Sequence, residues 1–205
     1  MSNNRATNWE VDQTFDPTEI YNELKSSYAN VYSNLDESEI DDYLDRIAFH
    51  ESKGEAGAVQ QVNDKYDKDG NVISYKDGPG RGLFQFEIGE DQGAQIAKQR
   101  FYNYYKSQGN DAMMKLAKSL PDDFSKISPD MQKALFMTNM MAIPNRGEGH
   151  VAANLSEVKK HGDQGLEDFW INYHWAGWKT DPDSIVDRRK SWKRDNKIYN
   201  QRALD

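Results

Sequence analysis

The chain has 205 residues, enough for one domain with an appendage, and its 37% hydrophobic and 12% aromatic residues can fill a core, which excludes wholesale disorder. It has no cysteine, so a disulfide framework is excluded. The net charge of −8 disfavours nucleic acid as a partner of the whole chain, and no stretch approaches the roughly 20 apolar residues of a membrane span.

The charge is unevenly placed. Residues 1–45 carry eleven acidic side chains against Arg5 and Lys25, a local charge of −9, and the remainder is close to neutral. The opening MSNNRATNWEVDQTFD has no basic start followed by an apolar stretch, so no secretory signal is expected. Residues 1–16 are polar and aperiodic and read as an arm. Pro17 opens a helix over 17–33 with Ile20, Tyr21, Leu24 and Tyr28 on one face. The division expected is an acidic arm and helix over 1–35 and a second unit over 36–205.

Asn34 or Asp36 caps the next helix, which runs to about His50. Residues 57–80 change character: Asp69-Gly70-Asn71 between Tyr66 and the run Val72, Ile73, Tyr75 reads as a β-hairpin. Helical patterns return at about 90–107, 110–119, 129–142, 148–160 and 163–175, with Ser128-Pro129 as a start signal and Pro144 as a stop. A last helix spans about Pro182 to Arg202, and its basic run (Arg188, Arg189, Lys190, Lys193, Arg194, Lys197, Arg202) reads as a solvated face. The fold class expected is α+β, predominantly α-helical, with one small hairpin.

Two runs carry candidate chemistry. In the second helix Ile40, Tyr43, Leu44, Ile47 and Ala48 form one apolar face, and Glu51, eleven residues after Ile40, continues it at about three turns. A carboxylic acid on an apolar face holds its proton more tightly than a free one, as a general acid must. The alternative is a glutamate at a frayed helix end that turns to solvent. The second run is Gly78-Pro79-Gly80-Arg81-Gly82-Leu83-Phe84-Gln85-Phe86-Glu87. Its glycines permit close approach or a tight turn, and Gln85 offers a donor and an acceptor suited to a sugar. An ordinary turn leading into a helix is the other reading.

Together, His50-Glu51-Ser52-Lys53-Gly54 and Gly80-Arg81-Gly82-Leu83-Phe84-Gln85, separated by a hairpin, resemble goose-type lysozymes, soluble lytic transglycosylases and phage endolysins of the lysozyme-like superfamily. The resemblance covers roughly residues 38–178. Phe84 stands where methionine is usual, and Asn172-Tyr173-His174-Trp175-Ala176-Gly177 matches the family's late motif loosely. It implies a lysozyme-like domain that is a peptidoglycan-degrading glycosidase, a hydrolase cutting the MurNAc-GlcNAc β-1,4 bond. Glu51 is then the catalytic acid. Substrate contacts are implied for Ser52, Gly82, Leu83, Phe84, Gln85, Tyr173, His174 and Trp175. Glu87, two positions after the glutamine, is either the base that positions water, as in the goose-type lysozymes, or a surface glutamate in the first turn of the next helix. Transglycosylases use one glutamate and yield anhydro sugars, and a non-catalytic virion protein on the same scaffold is a further alternative.

Tyr102, Tyr104, Tyr105, Trp170 and Trp178 are candidates for sugar stacking or for the core. No cofactor is implied. A calcium loop at DKYDKDGN fails, because aligning Gly70 with the loop glycine puts Lys65 first and Lys76 last. The histidines lack zinc-ligand spacing. The partner expected is the peptidoglycan strand. The missing signal points to a bacteriophage product, either a virion component or an enzyme in the host cytoplasm before release to the cell wall. The acidic charge favours a virion-attached enzyme, with residues 1–35 as a candidate docking arm for other virion proteins.

Overall fold

The computed structural model of the chain describes residues 15–31, 35–90, 92–142, 155–175 and 182–202, apart from the side chains of residues 156, 157, 173 and 175. Among these it is mostly helical, with one small antiparallel sheet. The helices are α1 (Pro17–Val31), α2 (Glu37–Ser52), α3 (Gly93–Ser107), α4 (Asp111–Ser119), α5 (Pro129–Met141), α6 (Leu155–Phe169) and α7 (Ile185–Arg202). The sheet has the order β1 (Val59–Tyr66), β2 (Val72–Arg81), β3 (Phe86–Glu87). None of these helices is long and apolar enough to cross a membrane.

α5 is the centre. Ser128 caps it by accepting from Met131 N at 3.3 Å, with Pro129 in the first turn. Met131, Ala134, Leu135, Phe136, Met137 and Met140 are all buried, so apolar side chains surround the helix as they do in a central one. Against it packs α1, which buries Ile20, Tyr21, Leu24 and Tyr28 in the same hydrophobic cluster. Polar ties complete the joint: Tyr28 Oη accepts from Leu155 N at 2.8 Å, and Lys25 Nζ reaches Asp41 at 2.7 Å. Residues 17–31 are therefore part of the core rather than of a detachable arm, which corrects the division at residue 35. The polar stretch 1–14 lies outside the described residues.

α2 begins with a reciprocal cap: Asp36 Oδ1 accepts from Glu39 N at 2.9 Å, and Glu39 Oε2 accepts from Asp36 N at 3.0 Å. It ends at Lys53, which takes the left-handed conformation with φ 60°. The β1–β2 hairpin forms where expected. At its tip Asp67 Oδ1 accepts from the backbone nitrogens of Asp69 and Asn71, so the calcium-like sequence closes a turn on itself. The helical patterns of 148–160 and 163–175 become one helix, α6, broken at Gly162 (φ 57°, ψ −140°), followed by a π-helical segment Trp170–Trp175. Residues 148–154 lie outside the described residues.

Candidate functional site

The end of α2, the turn after β2, strand β3, the π-helical segment and one face of α7 surround a cleft of about 590 Å³. Glu51 lines it. Ile40, Leu44, Ile47 and Ala48 are buried beneath, so the α2 stripe that anchors the helix also aims Glu51 inward, with 17% of its side chain exposed. The reading of Glu51 as a glutamate turned out to solvent is thereby replaced.

The indole nitrogen of Trp170 donates a hydrogen bond to Glu51 Oε1. The Trp170 ring is buried and stacks on Trp192, with ring centres 5.3 Å apart, so the donor is held rigidly. His174 Nε2 lies 3.5 Å from the same oxygen and 2.8 Å from the Phe84 carbonyl. A carbonyl only accepts, so Nε2 carries the proton and donates to Phe84 O. The Trp170 indole thus fixes the carboxylate through Oε1, and Oε2 is left for a ligand.

Gly82-Leu83-Phe84-Gln85 forms the turn between β2 and β3, and the buried Gln132 of α5 builds it. Gln132 Oε1 accepts from Leu83 N at 2.6 Å, and Gln132 Nε2 donates to Ala56 O and Ile127 O, each at 3.0 Å. Gly82 has φ 74°, and a Cβ there would meet Gln132 Oε1 at 2.1 Å, so glycine is required. Gln85 also takes a left-handed backbone, φ 49°, and its Nε2 donates to Gly82 O at 2.7 Å. Its amide lines the cleft and retains an acceptor oxygen and a second N–H.

Glu87 lines the same cleft from β3. It is not in the first turn of a helix, since α3 starts only at Gly93. Other sequence candidates fall elsewhere. Leu83 and Phe84 are buried in the core, where Phe84 stacks on Phe136 at 4.2 Å, so their side chains do not reach the cleft. Ser52 turns back to Ala48 O at 2.9 Å and is not among the lining residues. Tyr105 is buried, and Tyr102 and Tyr104 lie away from the cleft. The side chains of Tyr173 and Trp175, and residues 176–181, lie outside the described residues.

Trp170, weighed between sugar stacking and the core, is buried and also lines the cleft, and several further lining residues escaped sequence reasoning: His50, Lys53, Gln60, Arg100, Asn139, Arg188, Ser191, Arg194 and Asp195. The spacing of Arg188, Ser191 and Asp195, three and four residues apart beside Trp192, is a helix-face signal within the basic run. That run is therefore not simply a solvated face. Asp195 is 3% exposed; its Oδ2 accepts from His50 Nδ1 at 2.9 Å and Lys53 Nζ at 2.8 Å, and its Oδ1 from Arg194 Nε at 3.1 Å. Burial pushes the Asp195 carboxyl up, but the donors Arg194 and Lys53 and the charges of Lys53 and His50 outweigh it and hold it below the ordinary range. Burial lowers the His50 imidazole, against the charges of Glu51 and Asp195. No group of three or more histidine, aspartate or glutamate side chains among the described residues could hold a metal ion.

The chain matches no family model, no curated protein and no solved structure. The chemistry of the cleft therefore carries the functional reading.

Proposed function

We propose that this protein is a lysozyme-like glycosidase that cleaves the glycan strands of peptidoglycan, with Glu51 as the acid. The observation that carries the reading is the convergence on Glu51 of three separate runs of sequence. Trp170 donates to its Oε1 and the His174 ring lies beside that oxygen, while the Gly82–Gln85 turn, tied to His174 through the Phe84 carbonyl, sets the Gln85 amide on the wall of the same cleft. In this mechanism Oε2 protonates the glycosidic oxygen as the bond breaks, and Gln85 holds a hydroxyl or N-acetyl group of the sugar.

Glu87, in the same cleft, favours hydrolysis over transglycosylation, because a second carboxylate can position the attacking water. The setting that fits the acidic N-terminal charge is a bacteriophage virion, in which the particle rather than electrostatic attraction brings the enzyme to the polyanionic wall.

Turbidity clearing of purified cell walls tests the proposal. Wild type clears them, and Glu51→Gln, which keeps the shape but cannot donate an acidic proton, does not. A Glu51→Gln protein that clears walls at the wild-type rate overturns the assignment. A wild-type protein that never clears them favours a non-catalytic role.

A further inference from the structure

A second groove, of about 420 Å³, lies between α6 and α7, outside the Glu51 cleft. The stacked rings of Trp170 and Trp192 stand between the two: Trp170 lines the cleft and Trp192 lines the groove. Bond cleavage makes no use of this groove.

Two buried acceptors line it. Glu167 is 2% exposed. Its Oε1 accepts from Arg189 Nη1 at 2.6 Å, but Oε2 meets only Lys193 Nζ at 3.8 Å, beyond hydrogen-bond reach. Asn196 is 8% exposed. Its Nδ2 donates to Trp192 O at 3.2 Å, and among the described residues nothing donates to its Oδ1. A buried acceptor without a donor costs free energy, so these two oxygens suit a ligand rich in N–H. A primary ammonium brings three such donors and the charge that matches Glu167, and the Trp192 indole beside them attracts cations.

The rim has the opposite sign. Lys193 and Lys197, one turn apart on α7, are exposed and line the groove. Lys197 makes no ion pair among the described residues, while Asp163 on the facing wall is occupied by Arg46 at 2.7 Å. A simple amine would meet repulsion from these lysines. A ligand that carries a carboxylate as well as an ammonium satisfies both ends. We propose that the groove between α6 and α7 binds zwitterions of the α-amino-acid type, free amino acids or short peptides, with the ammonium on Glu167 and Asn196 and the carboxylate on Lys193 and Lys197. This holds whether or not the Glu51 cleft cleaves glycans.

Calorimetry on the full chain tests it with four probes: alanine, alanyl-alanine, N-acetyl-alanyl-alanine, which lacks the ammonium, and alanyl-alanine amide, which lacks the carboxylate. The better of the two uncapped probes should bind about 10- to 100-fold tighter than either capped form, the scale of losing a hydrogen bond to a charged group. Tighter binding of alanyl-alanine assigns the groove to peptides; equal or tighter binding of alanine assigns it to free amino acids. Glu167→Gln should remove the preference for the free ammonium, and Lys193→Gln with Lys197→Gln the preference for the free carboxylate. The capped probes need no variant, so the test stands even if Glu167→Gln fails to fold. Glu51→Gln should bind as wild type does, because groove and cleft are separate. No binding of either uncapped probe, equal affinity for capped and uncapped probes, or loss of binding in Glu51→Gln overturns the proposal.

Discussion

Trp170 and Glu51 lie 119 residues apart in the chain, and the indole of one donates directly to the carboxylate of the other. Trp170→Phe keeps most of the buried ring and removes only that donor. The loss of a hydrogen bond to a charged group amounts to about 1.5–3 kcal/mol. Turnover should therefore fall roughly 10- to 100-fold, with the far-ultraviolet dichroism unchanged. Wall-clearing rates of the purified variant check this, and a rate within twofold of wild type would count against the role of Trp170.

Glu87 decides between two chemistries. If it positions water, Glu87→Gln should slow cleavage by about 100- to 10,000-fold, the range of a lost general base. Mass spectra of the wild-type products should then show one water added per cut. Anhydro sugars as the main product, with little effect of Glu87→Gln, would instead mean that Glu51 works alone.

Gln132 is a structural prediction. Removing its amide in Gln132→Leu leaves Leu83 N, Ala56 O and Ile127 O without their partner. Each buried orphan group costs about 1–3 kcal/mol, so the melting temperature should drop by several degrees. Activity should drop further, because the turn that carries Gln85 loses its support. Thermal melts paired with clearing assays read both effects; a variant that melts like wild type contradicts this account of the turn.

Deleting residues 1–31 should unfold the protein, not merely detach it from a partner. The deletion removes Ile20, Tyr21, Leu24 and Tyr28 from the core. Leu24→Ala alone should cost about 2–5 kcal/mol, the usual range for a fully buried leucine. A truncated protein with a cooperative thermal transition near that of wild type would restore the arm.

Acid should loosen the joint between α2 and α7 in two stages. His50 titrates below its ordinary value of 6.5, so the unfolded chain binds its proton first, and stability falls as pH drops from about 6.5 toward the folded value. Asp195 is also held low, so its contribution is present above the ordinary 3.8 and is lost as pH falls through the lower folded value. Denaturant midpoints at pH 7.5, 5.5, 4 and 2.5 follow both stages. His50→Gln should flatten the first, and an unchanged first stage in that variant would remove His50 from the explanation.

Much of this architecture was legible from local signals. The Ser128-Pro129 start, the Asp36 cap and the Asp69-Gly70 turn each act within a few residues, and each forms where the sequence places it. In α1 two signals competed. The acidic charge suggested an arm, while Ile20, Tyr21, Leu24 and Tyr28 on one helical face indicated burial, and burial governs. Strand β3 is only two residues long and leaves no periodic trace. Trp170 on Glu51, and His50 and Lys53 on Asp195, pair across more than a hundred residues, and no local pattern encodes such pairs. The face of α7 that meets the cleft was hidden because a basic helix looks the same whether its arginines meet water or line a cleft.

Gln85 has a last consequence. It is a non-glycine residue with φ 49°, a backbone region that costs an L-residue about 1–2 kcal/mol. Glycine at that position would relieve the strain and would also delete the amide on the cleft wall. A laboratory selection for heat resistance alone would therefore be drawn toward Gln85→Gly and enrich a sturdier protein that lacks the cleft-wall amide. On the proposed glycosidase function, a selection coupled to wall clearing would retain the glutamine.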